Sequence, residues 1–77
     1  MAVLKNTLRE SRAEYHVKQQ ELADVVGVTR ETIGRLERGE LQNPNFRLVY
    51  YVAKFFGKPV DDLFRYLEDD AEEGTES

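Results

Sequence analysis

The sequence predicts an all-α domain, a compact packing of five short helices. Three observations carry this reading. Apolar residues recur at helical spacing in successive short runs. Gly27, Gly39 and Gly57, with Pro44 and Pro59, fall between those runs and punctuate them. Two of the runs, in residues 17–39, are separated by only a few residues around Gly27, so their helices must be joined by a tight turn.

Residues 3–15 predict the first helix. Leu4 and Leu8 stand at i and i+4 with Tyr15 two turns on, and Lys5, Arg9, Glu10 and Glu14 face water. Arg12 falls near the apolar stripe. It either lies over the core with its head in solvent or is paired. His16 and Val17 connect, with Val17 plugging the core. The second helix spans about residues 18–26 and turns Leu22, Ala23 and Val26 inward. Lys18 stands where a hydroxyl or Asx cap is preferred, and Glu21 complements the helix dipole. Gln19 and Gln20 occupy the first turn, beside free backbone N–H groups that suit a phosphate; solvated side chains are the plainer reading, favoured for Gln20. Gly27 fits a left-handed ending.

Thr29 caps a third helix, about residues 30–38, with Ile33 and Leu36 inward. Arg30, Glu31, Gly34 and Arg35 then share the outer face. Arginine can bond guanine O6 and N7 together, and glutamate can accept from cytosine N4. Gly34 costs about 1 kcal/mol relative to Ala in mid-helix. It either lets the helix approach a groove floor or is a tolerated small residue.

Pro44 shapes the next loop and Asn45 caps a fourth helix, about residues 46–56. Phe46, Val49, Val52, Ala53 and Phe56 form its inner stripe. Leu48, Tyr51 and Phe55 make a second stripe, which implies burial on two sides or a partner. Pro59 opens a fifth helix, with Val60, Leu63 and Phe64 closing the core. Arg65-Tyr66-Leu67 either extends it or forms a short strand. The domain therefore takes residues 1–67, and residues 68–77, acidic and without large apolar groups, are expected to be a disordered tail.

Composition narrows the function classes. Seventy-seven residues make one small domain with little room for a ligand pocket. The absence of cysteine rules out disulfides and thiolate metal sites, and His16 alone cannot build a metal cluster. No apolar run approaches the ~20 residues of a membrane span, and no signal peptide is visible, so a cytoplasmic protein is expected. Residues 1–60 carry ten Lys/Arg against seven Asp/Glu, or +3, whereas residues 61–77 carry one against eight, or −7. The acidity belongs to the end, and the helical part is weakly basic.

The run VKQQELADVVGVTRETIGRLERG, followed by NPNF and VAKFFGKPVDDLF, resembles the Cro/phage-repressor type, or XRE-family, helix-turn-helix transcriptional regulators over about residues 4–64. The resemblance rests on Gln19, Leu22 and Ala23, the Gly27 turn, Thr29, Thr32 and Ile33, then Leu36, Glu37, Gly39 and Pro44. It implies a lambda-repressor-like fold whose third helix enters the major groove. It implies base contacts from Arg30, Glu31, Thr32 and Arg35 around Gly34. It also implies phosphate contacts from Lys18, Gln19, Thr29, Arg38, Gln42, Asn43 and Asn45. An ion pair between Arg12 and Glu37 is implied too, which accounts for the charge near the core. Three positions depart from the pattern: Lys18 replaces a small hydroxyl, Ser11 an apolar residue, and Gly34 a side chain that often reads sequence.

The expected function is a sequence-specific regulator of double-stranded DNA, dimeric on a two-fold symmetric operator. The surplus Leu48, Tyr51, Phe55, Tyr66 and Leu67 are the expected dimer interface. A protein-interaction adaptor or antitoxin-like module is the alternative. No cofactor, metal, membrane contact or small-molecule effector is expected, and no enzyme: there is no Gly-rich phosphate loop and no carboxylate pair in a chain able to enclose a substrate.

Overall fold

Two strands stand where the sequence predicted helix or left the choice open. The computed structural model describes residues 2–68. In chain order these form β1 (Ala2–Asn6), α1 (Leu8–Tyr15), α2 (Gln19–Val26), α3 (Arg30–Glu37), α4 (Phe46–Phe56), α5 (Val60–Leu63) and β2 (Phe64–Glu68). All five helices are present, but the all-α class is corrected by a two-stranded antiparallel sheet. The tail expected over residues 68–77 lies outside the described residues, apart from Glu68, which pairs with Ala2.

The first helix is shorter than its apolar spacing suggested because Asn6 and Thr7 set its start. Asn6 Oδ1 accepts from Leu8 N–H at 3.1 Å, and the Thr7 carbonyl accepts from Ser11 N–H at 2.9 Å. Short polar side chains of this kind favour helix starts over helix interiors. Released from the helix, residues 2–6 pair with β2 in the register Leu4 opposite Tyr66 and Asn6 opposite Phe64. Leu4 and Phe64 point into the core from one face, while Lys5 and Arg65 share the other.

A two-stranded ribbon is marginal alone. Here the helices hold it. Asn6 Nδ2 donates to the Leu36 carbonyl at 2.8 Å, and Thr7 N–H to the Leu63 carbonyl at 3.0 Å. The Gln42 side-chain amide takes the other edge of β1: Leu4 N–H donates to its Oε1 at 2.8 Å, and its Nε2 donates to the Leu4 carbonyl at 3.2 Å. Gln42 thus closes that edge as a third strand would.

The core draws one or two large residues from every helix, with Leu8, Leu22, Ile33, Leu36, Val52 and Leu63 fully buried. The stripe of α4 is rotated from the expected one. Leu48, Val52 and Phe56, spaced at i, i+4 and i+8, face inward, and Leu48 is only 6% exposed. Phe46, expected in the core, lies on the other side of the first turn and is 75% exposed. Ser11 is buried, and its hydroxyl accepts from Lys58 Nζ at 3.4 Å. His16 ends α1 in the left-handed region, with φ 57°.

Candidate nucleic-acid interface

The α2–α3 unit is built from local rules. Gly27, at φ 79°, ends α2 in a conformation that costs a side-chain-bearing residue about 1–2 kcal/mol. Its N–H and that of Val28 both donate to the Ala23 carbonyl, and Val28 packs against the core. Thr29 Oγ1 then accepts from Thr32 N–H at 3.1 Å and caps α3. At the start of α2, Glu21 Oε1 accepts from the Lys18 N–H at 2.9 Å, which offsets the missing hydroxyl cap.

Arg30, Glu31 and Arg35 project from the solvent side of α3 and are exposed. Thr32 is half-buried at their edge, with its hydroxyl 3.0 Å from that of Thr29. This face is held against the rest of the domain from behind, through Glu37. The Glu37 side chain is 0% exposed. Its carboxylate accepts from Arg12 Nε and, at 3.0 Å, from Arg12 Nη2. Gln19 Nε2 donates to it as well, at 2.9 Å, and Arg12 Nη1 donates to the Val17 carbonyl at 3.0 Å. One carboxylate therefore joins α1, the start of α2 and the end of α3. Burial works against its charge, but the hydrogen bonds from Arg12 and Gln19 and the Arg12 charge outweigh it. The Glu37 carboxyl is held below the ordinary carboxylate range.

Two expectations change here. The amide nitrogen of Gln19, expected to hold a phosphate, is turned inward to Glu37. Gly34 is not bare. It is buried, and a Cβ built there would lie 3.0 Å from Arg38 Nη1 and 3.8 Å from Gln19 Nε2. The Arg38 guanidinium occupies the space that the missing side chain leaves, so Gly34 admits Arg38 rather than bringing the helix nearer to a groove floor.

The loop after α3 is partly used by the fold. Gln42, expected on a phosphate, spends its amide on Leu4 and on the Gly39 carbonyl at 2.8 Å. Asn45 caps α4, accepting from Leu48 N–H at 2.8 Å. Arg38 reaches Glu40 through Nε at 2.8 Å and Nη2 at 3.2 Å, with both side chains about half exposed. Asn43 is exposed and, with Thr32, Asn45 and Arg47, lines a groove of about 410 Å³ between the α3 start and α4. Sequence reasoning passed over Arg47. Its signal was a lone cation one residue past the first position of α4, which helical spacing alone does not single out.

The five expected interface residues do not share one surface. Leu48 is in the core, and Phe55 is half-buried edge-on to Phe56, with centroids 5.0 Å apart. Tyr51 carries the Arg47 guanidinium 5.9 Å from its ring centroid. Tyr66 and Leu67 are exposed, on opposite faces of the sheet.

A sequence model described as helix-turn-helix matches residues 8–63. The chain belongs to that family, in its XRE branch. This XRE-family chain is 46% identical over 67 residues to an uncharacterized HTH-type transcriptional regulator of Archaeoglobus fulgidus, covering 87% of this chain and 94% of the relative. It is 33% identical over 70 residues to the cryptic phage CTXphi transcriptional repressor RstR of Vibrio cholerae, covering 91% of this chain and 62% of RstR. Its fold is similar to the crystal structure of the clp gene regulator ClgR from Corynebacterium glutamicum. That match has a TM-score of 0.67 and 32% identity, over 73% of this chain and 58% of the ClgR chain. Among the described residues, no helix is long and apolar enough to cross a membrane.

Proposed function

We propose that this domain is a cytoplasmic transcription regulator that binds double-stranded DNA sequence-specifically, as a dimer on a two-fold symmetric operator. The observation that carries the reading is the outer face of α3. Arg30, Glu31 and Arg35 stand exposed on a helix whose back is fixed to α1 and α2 through Glu37. A major groove admits one helix, and base-reading side chains must be held rigidly to discriminate. Thr32 stands at the edge of this face, and Arg38, lying over Gly34, extends its positive charge. Lys18, Thr29, Asn43 and Arg47 flank the face as phosphate contacts, as do the backbone N–H groups at the α2 start. Relatives named as transcriptional regulators, one of them a phage repressor, support the reading.

In vitro selection of binding sites tests it, since it returns specificity, symmetry and half-site spacing together. Selected sites should contain two half-sites about one helical turn apart. Arg30→Ala and Arg35→Ala should each cost about 1–3 kcal/mol at the selected site and relax one position of it. Folded variants that bind that site as tightly as wild type would remove the base-contact assignment. Affinity that does not fall with added salt would favour a protein partner instead.

A further inference from the structure

The largest concavity of the described residues lies away from α2 and α3. It is a groove of about 800 Å³ between the start of α4, α5 and the core-side face of the sheet. Leu4, Val49, Val60 and Phe64 supply buried and half-buried floor, and Phe46 and Tyr66 stand beside it, the latter 67% exposed. Asp61, Asp62 and Arg65 line the same groove. Among the described residues no ion pair joins Arg65 to either aspartate within the chain.

We propose that this groove receives a second copy of the same chain. Phe46 of each copy would enter the other's groove, and each Arg65 would face Asp61 and Asp62 of the other. The inference rests on the dimer named under Proposed function and identifies its contact surface.

Three features favour this occupant. A two-fold interface uses one patch twice, so the patch must carry both halves of each contact. This one does: an exposed apolar knob sits beside an apolar hollow, and both charge signs lie along one rim. Second, the groove includes no α2 or α3 residue, so two copies joined here leave both α3 faces free. Third, residues 69–77, DDAEEGTES, offer only Ala71 as an apolar group, too small to fill an apolar hollow, and their acids would meet Asp61 and Asp62.

The two signs allow a decisive experiment in DNA-free protein, read by analytical ultracentrifugation at several concentrations. Wild type should sediment as a dimer in reversible equilibrium with monomer. The double variant Asp61→Arg/Asp62→Arg places like charges across the interface, as does Arg65→Asp. Each alone should weaken the dimer by at least about tenfold. An equimolar mixture of the two should regain it, because every Arg then meets an Asp across the heterodimer. Phe46→Glu, at an exposed position that leaves α5 untouched, should also give monomer, with far-UV circular dichroism showing the fold intact.

A wild-type protein that stays monomeric at high micromolar concentration would overturn the proposal, whether the groove serves another protein or a small apolar ligand. So would a Phe46→Glu protein that dimerises as wild type does. A mixture no more dimeric than its two components would overturn the charge pairing, and with it this mode of docking. Because DNA is absent, none of these outcomes depends on whether α3 reads bases, and the selection experiment judges that separately.

Discussion

Glu37 and Arg38 are neighbours in the chain, and each closes an ion pair, yet the two pairs differ in kind. The Glu37 carboxylate is out of solvent, receives three side-chain hydrogen bonds and joins three helices. The Arg38 guanidinium lies on the surface and meets Glu40 only two residues away, both about half exposed. A buried pair is dangerous to halve, because the remaining charge stays without a partner, whereas an exposed pair exchanges its partner for water. The same chemistry thus fixes the domain at one residue and leaves a cation available for exchange at the next.

The contrast can be broken most directly at Glu37. Glu37→Ala strands Arg12 and the Gln19 amide and should cost about 3–5 kcal/mol, a large share of the 5–15 kcal/mol typical of a whole domain. Chemical denaturation measures it. A companion variant with Met at both positions, Arg12→Met/Glu37→Met, should recover much of the loss, since it leaves no buried charge. Equal losses in the single and double variants would mean that the charge pairing is not what matters.

A smaller effect should appear on acidification. The Glu37 carboxyl titrates below the ordinary value of about 4.3 in the folded domain. Its contribution is therefore complete above that value and is lost as pH falls through the lower, folded one. Thermal unfolding followed from pH 6 downward should show wild type losing stability more steeply than Glu37→Gln below about pH 4.3. Parallel curves would show that Glu37 is not the titrating anchor.

The smallest stability effect belongs to the surface pair. Glu40→Gln should leave the melting temperature unchanged within error while tightening DNA binding at low salt, because a carboxylate that competes for Arg38 is gone. If its melt dropped as far as that of Glu37→Gln, the division between the two pairs would collapse.

Much of the domain was legible in its residues, for reasons that are local. Helices α2 to α4 follow from apolar spacing with Gly27, Thr29, Asn45 and Gly57 as stops and caps, each acting within a few residues. The outer face of α3 follows from the same periodicity. The Arg12–Glu37 contact, 25 residues apart, was reached only through family resemblance, since no spacing rule links them. What spacing misassigned depended on distant partners. β1 was absorbed into α1 because Leu4 and Leu8 keep a helical interval, and only residues 64–68 and Gln42 make residues 2–6 a strand. The local signal was there, in Asn6-Thr7 just ahead of Leu8. Gly34 misled for the opposite reason. The missing side chain was visible, but the Arg38 group that fills the space was not.

The strand pair also bears on how the domain assembles. Residues 2–6 and 64–68 meet across some sixty intervening residues, while α2 and α3 meet across a three-residue turn. Closing a loop of that length costs roughly 4 kcal/mol in chain entropy before any ladder bond forms. The sheet should therefore join late, as a clasp drawn over helices that have already docked. A Leu4→Ala variant should accordingly unfold faster while folding at nearly the wild-type rate. Stopped-flow refolding slowed in proportion to the lost stability would place the clasp in the nucleus instead. On the late-closing route, the Gln42 amide meets its strand only after the α3 face it borders is already in place.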